Sequence, residues 1–266
     1  SAGEASGDRF AAELAGALRQ EFPGAVLCGI GSSALAAAGV RLLLDVSATA
    51  SIGLTEALAT FPRSLRLLRR ARRLLRAERP DVFIPVDCQG YNLPLAREAK
   101  RAGIPVAWYI PPQEFLWGGI RAGRRTIARA DLLLCVYRQA ETFYNSLGGN
   151  AVFVGHPLVG SSAAPAPQEQ PRRVVLAPGA RRQELARLLP PLLQAARLLG
   201  ARHPELVFQA AAVDAAHGAR LAAAAAAAGV ALEVCPVPLG EILPGAALYL
   251  GKSGTASLEA ALAGVP

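Results

Sequence analysis

The sequence has few of the residues that build metal sites or disulfide frameworks. It contains four cysteines and three histidines in 266 residues, and no two cysteines form a CxxC pair. The spacing of His156, His203 and His217 shows no metal-ligand pattern, so we predict no metal site. Cysteines this far apart in a globular chain are typical of buried free thiols in a reducing compartment, and we expect this state for all four.

Long apolar runs and acidic residues are also scarce. The longest apolar stretch, LAAAAAAAGVAL from Leu221, is too short to span a bilayer and predicts a packed helix followed by a turn. We expect no signal peptide ahead of the first motif. The 20 acidic residues are outnumbered by 28 basic ones, which gives a net charge of +8. This surplus favours an anionic partner, either a nucleic acid, a phospholipid surface or a phosphorylated substrate.

Apolar runs of strand length alternate with amphipathic segments of helix length. In the first half the candidate strands are AVLCGIG, DVFIPVD, PVAWYI, DLLLCVY and AVFVG, and in the second half RVVLAPG, LVFQAAAV and ALYLGKSG. The alternation predicts an α/β fold with parallel sheets, and the proline-rich break SSAAPAPQEQP predicts two of them. We therefore expect two Rossmann-like domains facing across a cleft, at 1–160 and 172–266, with a linker at 161–171.

The two ends of the sequence interrupt this alternation. The chain opens on SAGEASGD, a turn and helix start with no strand before it, and it stops at AALAGVP, where a new strand is expected. We therefore expect the second domain to be incomplete.

Ligands of parallel α/β sheets bind where strands end and helices begin, so two turns of the second half are candidate sites. In the first, Ser253, Gly254 and Thr255 open a helix whose N-terminus suits a phosphate, with Glu259 one turn on as an acceptor for ribose hydroxyls. In the second, Arg181 offers a planar fork for a diphosphate and Glu184 could orient it. An ordinary capped helix and a surface arginine are the alternatives.

The first half contributes three polar candidates. Asp87 ends the strand DVFIPVD and could act as a general base, while Asn92 in the same loop could bond a substrate hydroxyl or the loop itself. Glu4 lies in a glycine-bracketed acidic turn that could receive a sugar or order the loop. Helix capping is the alternative for these residues.

The loop Gly29-Ile30-Gly31-Ser32-Ser33-Ala34 allows a different interpretation of the function. It fits the loose dinucleotide pattern G-x-G-x-x-A after a strand, with Asp45 downstream, and would make the protein a nicotinamide-dependent oxidoreductase. Asp45 follows Gly31 by only fourteen residues, short of the usual ~20, so this match is weak.

The stretch from Ser51 to Pro80 is both apolar and basic. Eight arginines fall between Arg63 and Arg79, and interleaved with or just before them are Ile52, Leu54, Leu58, Phe61 and Leu65. Such a surface suits an anionic bilayer or an acylated, phosphorylated substrate, and we expect those five residues to face lipid. A core-packing helix with a solvated arginine face is the alternative. No aromatic stacking platform accompanies the arginines, so we do not expect a nucleic-acid partner.

Five motifs in collinear order resemble the lipid A disaccharide synthases over nearly the whole chain. They are the opening AGEASGD, the D-x(4)-N of Asp87 and Asn92, the VGHPL of 154–158, the P-G-x-R-x-x-E of 178–184 and the S-G-T-A-x-L-E of 253–259. The sequence departs from the family pattern at Ala180, where serine is usual, and in the tryptophan-rich segment, which reads PPQEFLWGG with Trp117 retained.

The resemblance implies a two-Rossmann (GT-B) fold and an inverting, metal-independent transferase without a cofactor. Its donor would be UDP-diacylglucosamine, its acceptor diacylglucosamine 1-phosphate, and its products a β-1,6-linked disaccharide and UDP. Asp87 would be the catalytic carboxylate, and Arg181 with the 253–255 turn would hold the diphosphate. Glu259 would hold the ribose, while Glu4 and Asn92 would line the acceptor side. The enzyme would be cytoplasmic and peripheral on the inner membrane; another lipid acceptor and a homodimer stay open.

Overall fold

The computed structural model describes residues 1–3, 5–46, 57–161 and 172–266. They divide into two compact units, Ser1–Pro157 and Leu158–Pro266. The predicted linker 161–171 lies outside the described residues except for its first residue, so the predicted domain limits stay predictions.

The first unit alternates helices with short strands as the sequence pattern predicts. Its elements, in chain order, are α1 (Ala5–Glu21), β1 (Cys28–Gly31), α2 (Ser33–Ala37), β2 (Arg41–Asp45), α3 (Ala57–Glu78), α4 (Gln89–Arg101), β3 (Ala107–Tyr109), α5 (Gly119–Ile127), β4 (Leu132–Cys135), α6 (Arg138–Ser146) and β5 (Ala151–Phe153).

Two extended segments join these strands into one parallel arrangement. β1 pairs with β2, and β3, β4 and β5 pair in that order. Val86 bridges both Ala2 and Tyr109, and the Ala2 N–H donates to the Ile30 carbonyl at 2.8 Å. The resulting order is β2, β1, Ala2, 83–86, β3, β4, β5. The direction of winding reverses between Ala2 and 83–86, and a doubly wound sheet binds its ligand at this switch point.

The core of the first unit lies between the sheet and its helices. Trp108, Leu133 and Cys135 are fully buried strand residues, and Ala71 of α3 and Leu95 of α4 pack on the same cluster. In β3 and β4 the buried residues alternate with half-buried ones, so Trp108, Leu133 and Cys135 lie on the same face of the sheet.

The second unit contains one four-stranded parallel sheet. Its elements are α7 (Pro157–Ser161, which begins at the boundary), β6 (Arg173–Ala177), α8 (Arg182–Arg202), β7 (Val207–Ala211), α9 (Ala215–Ala227), β8 (Leu232–Cys235), α10 (Leu239–Ile242), β9 (Leu248–Gly251) and α11 (Thr255–Leu262). The strand order is β8-β7-β6-β9. Along β6, Val174 and Leu176 pack with α8 and α9, whereas Val175 packs with α10 and α11. This alternation follows from the period of two in a strand.

These two parallel-sheet units confirm the predicted α/β fold class with two Rossmann-like domains. The prediction of four buried thiols is wrong for three of them: none of the four cysteines forms a disulfide, as predicted, but only Cys135 is buried. Cys88 lies in a turn and Cys235 ends β8, an edge strand of its sheet, whereas Cys135 ends β4, which is flanked by β3 and β5. Within the described residues, no helix combines the length and the apolar character that crossing a membrane requires.

Candidate functional site

In the first unit, polar side chains gather where the parallel strands end. Asp87 follows 83–86 directly and therefore lies at the switch point of the sheet. Tyr137 follows β4 and His156 follows β5, so both lie at the same edge. Burial and the charge of Asp87 together raise the pKa of Tyr137, which places the carboxylate near the phenol.

The Asp87 turn has an unusual backbone. Asp87 and Cys88 have φ values of 49° and 44°, a left-handed conformation that costs non-glycine residues about 1–2 kcal/mol each. The Asp87 N–H donates to the Tyr109 carbonyl at 3.1 Å. Strained backbone of this kind clusters at functional sites, because the surrounding contacts must hold it.

The side chain of Asn92 helps to hold the Asp87 turn in this backbone conformation. Its side chain is fully buried, and Nδ2 lies 2.8 Å from the Asp87 carbonyl and 3.0 Å from the Val86 carbonyl. Of the two roles considered for Asn92, the structure shows the bond to its own loop. Contact with an acceptor stays a prediction, and so does the role of Glu4, which lies outside the described residues.

Gly3, just before α1, lies where a side chain would collide with the Asp87 turn. A Cβ at Gly3 would lie 2.5 Å from the Cys88 Sγ, so a side chain there would force the Cys88 side chain or the backbone to move. The missing side chain therefore lets the start of α1 approach the Asp87 turn.

An aromatic group lies beside this turn. The ring of His156 lies 5.7 Å from that of Tyr137 and 5.8 Å from that of Phe10, centroid to centroid. Burial, with a smaller contribution from Arg9, lowers the pKa of His156, which favours the neutral imidazole. A neutral imidazole and a phenol can both bond hydroxyl groups of a sugar.

The loop with the dinucleotide pattern is occupied by a side chain of the protein. The buried Asp8 accepts from the Ser32 N–H at 2.7 Å, the Ser32 hydroxyl at 2.6 Å, the Ala34 N–H at 3.1 Å and the Leu35 N–H at 3.3 Å. A pyrophosphate would need these same N–H groups. The nicotinamide reading is therefore wrong for this loop.

In the second unit, the strand order brings the two predicted phosphate turns together. β6 pairs with β9 up to Ala177 and Gly251, so the turns that follow both strands leave the same edge side by side. The Lys252 N–H donates to the Ala177 carbonyl at 3.1 Å. The Lys252 Nζ donates to the Glu184 Oε1 at 2.6 Å, which ties one turn to the other.

Glu184 contacts residues of both turns. Its Oε2 accepts from the backbone N–H of Arg181 at 3.2 Å, and its Oε1 lies 3.9 Å from Arg181 Nη1. Burial acts to raise the pKa of Glu184, but the bonds from Lys252 and Arg181 outweigh it and the pKa is lowered. The carboxylate is therefore ionised and contacts two cations at the N-terminus of α8, while its role in orienting Arg181 on a diphosphate stays a prediction.

The turn before Arg181 is held from α9. Gly179 has φ of +95°, and a Cβ there would lie 2.3 Å from the Glu184 Oε2. The Val213 N–H lies 3.3 Å from His217 Nδ1, which assigns the ring proton to Nε2; this nitrogen then donates to the Gly179 carbonyl at 3.2 Å. The backbone of the turn is thus fixed at both ends.

The remaining candidates of the second unit surround the start of α11. Ser253 and Gly254 are exposed, Thr255 is half-buried, and Gly254 has φ of +138°. The first N–H groups of a helix lack intrahelical partners, so this end can bind an anion. Glu259 is buried rather than open to solvent, and burial together with its charge raises the pKa of Tyr249 to about 12. Its contact with a ribose stays a prediction.

The predicted lipid-facing residues are only partly visible. Ile52 and Leu54 lie outside the described residues, and the structure gives only the helical backbone for Leu58 and Phe61. Leu65 is half-buried, while the later turns of α3 bury Ala71 and Leu75 in the core and expose arginines to solvent. The core-packing alternative therefore describes the second half of α3, and lipid contact of the first half stays a prediction.

Sequence reasoning missed four residues of these sites. Tyr137 and His156 end strands just as Asp87 does, so the same strand-end rule could have found them. Lys252 stands in a turn already singled out, but its partner depends on strand order. His217 carried a weaker signal, because Asp214 accepts from the His217 N–H at 2.7 Å in an ordinary N-cap.

The sequence comparisons show which family the chain resembles. The sequence profile described as lipid-A-disaccharide synthetase matches residues 1–266. The lipid-A-disaccharide synthase of Myxococcus xanthus is 40% identical over 217 residues, which cover 77% of this chain and 56% of that protein. The one from Geobacter metallireducens is 36% identical over 277 residues, with 100% and 71% covered. The chain thus matches little more than half the length of the first of these relatives.

Solved structures of the same fold are more distant in sequence. Staphylococcus aureus MnaA, in a structure with UDP, has a TM-score of 0.66 at 14% identity, covering 98% of this chain and 75% of that one. The UDP-GlcNAc 2-epimerase from Neisseria meningitidis, bound to UDP-GlcNAc, has a TM-score of 0.61 at 10% identity, covering 94% and 75%. At such identities the likeness concerns the fold alone.

Proposed function

Because this chain belongs to the lipid-A-disaccharide synthetase family, we propose that it is the greater part of an inverting glycosyltransferase. The reaction transfers 2,3-diacylglucosamine from its UDP derivative to 2,3-diacylglucosamine 1-phosphate. The products are the β-1,6-linked disaccharide 1-phosphate and UDP. The observation that carries the proposal is the family match along the whole chain, and the two clusters at the strand ends supply groups that suit the chemistry.

The second unit is proposed to hold the nucleotide. Arg181 and the N–H groups of the 253–255 turn bind the diphosphate, while Glu259 takes the ribose. Glu184 holds Arg181 and Lys252 at one point, so positive charge is in place before the substrate arrives. Charge arranged in advance costs no reorganisation when the leaving group departs.

The first unit is proposed to hold the acceptor and its base. An Asp87 carboxylate oxygen takes the proton from the acceptor hydroxyl as that oxygen attacks the anomeric carbon of the donor. The bond from that carbon to the diphosphate oxygen breaks, and UDP leaves with the electron pair. Attack from the face opposite the leaving group inverts the anomeric centre. The arginine and the helix end offset the charge on UDP, so the proposal needs no metal ion or cofactor.

The proposed place of work is the cytoplasmic face of the inner membrane, where the protein binds peripherally. Both substrates carry acyl chains and phosphate groups, and α3 combines apolar residues with arginines. Such a helix binds anionic lipid through buried apolar area and through charge. A homodimer is compatible with the proposal but is not required by it.

The test is Asp87→Asn assayed with both acylated substrates. We expect turnover to be lost and UDP affinity, measured by calorimetry, to stay nearly unchanged, because the carboxylate acts on the acceptor rather than the nucleotide. Asp81→Asn is the matched control, since Asp81 is exposed and precedes the same extended segment at its other end. Near-normal turnover of Asp87→Asn would remove this residue from the mechanism. Equal turnover of plain UDP-GlcNAc as the donor would show that the acyl chains of the donor are not required, and it would refute the lipid A assignment.

A further inference from the structure

The second unit contains an apolar groove between α8 and α9 that the proposed reaction does not use. Its volume is about 900 Å³. On the α8 side, Leu185, Leu189 and Leu193 repeat every four residues, so they form one buried ridge at the base of the groove, the leucine ridge. On the α9 side the facing residues include Ala224 and Ala228. Because alanine side chains are short, they leave the space above the leucine ridge open.

The charged side chains that line the groove are two arginines at its opposite ends. α8 and α9 each follow a strand of the same parallel sheet, so both helices run in the same direction. Arg220 lies in the first half of α9, whereas Arg197 lies in the last two turns of α8. In the part of the chain that the structure describes, no carboxylate lines the groove and neither arginine forms an ion pair. The groove therefore presents positive charge without a counter-ion of its own.

The backbone distinguishes the two arginines. The last turn of α9 lines the groove at the end where Arg197 lies, and the carbonyl end of a helix favours a cation and opposes an anion. The charge of Arg197 is therefore offset by the helix itself. Arg220 lies at the end of the groove nearer the N-termini of both helices, where the helix dipoles favour an anion. An anionic group in the groove is therefore expected to bind at Arg220.

We propose that this groove binds a single-chain fatty carboxylate, with the carboxylate on Arg220 and the chain along the leucine ridge toward Arg197. The volume of the groove lies within the range of small-molecule sites, about 300–1,000 Å³. Its lining is mainly aliphatic and, among the described residues, contains no aromatic ring, which suits an alkyl chain. One planar guanidinium matches the two oxygens of a carboxylate, whereas a phosphate dianion would need further positive charge. Binding here requires neither the glycosyl donor nor the acceptor.

Calorimetry with dodecanoate, below the concentration at which it forms micelles, tests the proposal directly. Each methylene buried on the leucine ridge should strengthen binding about fourfold, so dodecanoate should bind about 15-fold more tightly than decanoate. Dodecyltrimethylammonium has the same chain with a positive head and should show no binding. Equal Kd values for the two carboxylates would overturn the role of the groove. Tighter binding of dodecyl phosphate than of dodecanoate would overturn the choice of a carboxylate.

Two arginine variants test where the carboxylate binds. Arg220→Gln should weaken dodecanoate binding about 10–100-fold, because hydrogen bonds between charged groups are lost. Arg197→Gln is the matched control, since it removes the same charge from the other end of the groove, and its Kd should stay within about twofold of the wild type. Both side chains belong to exposed residues, so neither change disturbs the core. Equal losses in the two variants would show a general effect of charge and would overturn the placement of the carboxylate at Arg220.

Two alanine variants test where the chain lies. Ala226 and Ala227 are both exposed at the end of α9, but only Ala227 lines the groove. Ala227→Phe should fill part of the groove and weaken dodecanoate binding about tenfold, since nearly two methylenes lose their place on the ridge. Ala226→Phe is the matched control and should bind as the wild type does. Wild-type affinity of Ala227→Phe would place the chain outside this groove.

UDP keeps this inference apart from the proposed function. Neither Arg181 nor Lys252 lines the groove, so saturating UDP should leave the Kd for dodecanoate within about twofold. Loss of dodecanoate binding in the presence of UDP would place the chain in the donor site and overturn the proposal. A protein that binds dodecanoate with these variant effects but does not catalyse transfer would refute the transferase alone. A transferase that does not bind dodecanoate would refute the groove alone.

Discussion

The ion pair between Glu184 and Lys252 gives the sharpest prediction about the second unit. It joins two turns that are 68 residues apart in sequence, and both turns are proposed to hold the diphosphate. We expect Lys252→Ala and Glu184→Gln each to destabilise the protein and to weaken UDP binding. The double variant should cost less than the sum of the two, because either change alone already breaks the pair.

The size of the coupling follows from the geometry. The Nζ–Oε1 distance is 2.6 Å, and the side chains are 31% and 19% exposed. Exposed ion pairs contribute about 0.2–1 kcal/mol, and hydrogen bonds to charged groups about 1.5–3 kcal/mol. A half-buried pair lies between these ranges, so we expect a coupling of about 1 kcal/mol. In the Lys252→Ala variant Glu184 still accepts a hydrogen bond from the Arg181 N–H. The loss of the lysine therefore costs less free energy than it would for a carboxylate with no other partner.

The contribution of Glu184 to the free energy of unfolding depends on pH, and the direction of this dependence follows from its pKa. The folded-state pKa of Glu184 lies below its ordinary 4.5, so its contribution to the free energy of unfolding is complete above that value. The contribution is lost as the pH falls through the lowered folded-state pKa. The stability difference between wild type and Glu184→Gln should therefore be constant near neutral pH and shrink in acid.

Urea unfolding of the four proteins of the cycle measures the coupling, and calorimetry measures the Kd for UDP. We expect about a tenfold weaker Kd for Lys252→Ala, which corresponds to about 1.4 kcal/mol. The pair between Arg41 and Glu78 is the control, since its shortest contact is also 2.6 Å but its side chains are 57% and 27% exposed. That pair should couple more weakly and leave UDP binding unchanged. A Glu184–Lys252 coupling below about 0.3 kcal/mol would refute the argument.

Three further predictions concern single sites. Asp8→Asn should lower the free energy of unfolding by about 2 kcal/mol in urea, since a charged acceptor of four hydrogen bonds is lost; an unchanged midpoint would contradict this. Arg181→Ala should weaken the Kd for UDP by about 10–100-fold with little change in stability, and full affinity would place the diphosphate elsewhere. Leu58→Ser with Phe61→Ser should reduce vesicle association but spare UDP binding and folding, and unfolding of this variant would assign both side chains to the core.

The sequence alone established the fold class and the turns that carry polar groups. Strand-length apolar runs followed by helices predicted parallel sheets, and the rule that ligands bind at strand ends selected Asp87, Arg181 and the 253–255 turn. Each of these inferences depends only on local pattern. For the same reason the sequence could not clearly distinguish the glycine-rich loop at 29–34 from a true dinucleotide site.

Tertiary structure decided which of these groups meet. Strand order cannot be inferred from a local sequence pattern. The order β8-β7-β6-β9 nevertheless places Lys252 beside Glu184. In the same way, packing of α1 against the first sheet puts the Asp8 carboxylate on the N–H groups of 32–35, and packing beneath the Asp87 turn buries Asn92. Hydrogen bonds between residues far apart in sequence arise only when the sheet assembles, and they fix the roles of side chains whose types the sequence already showed.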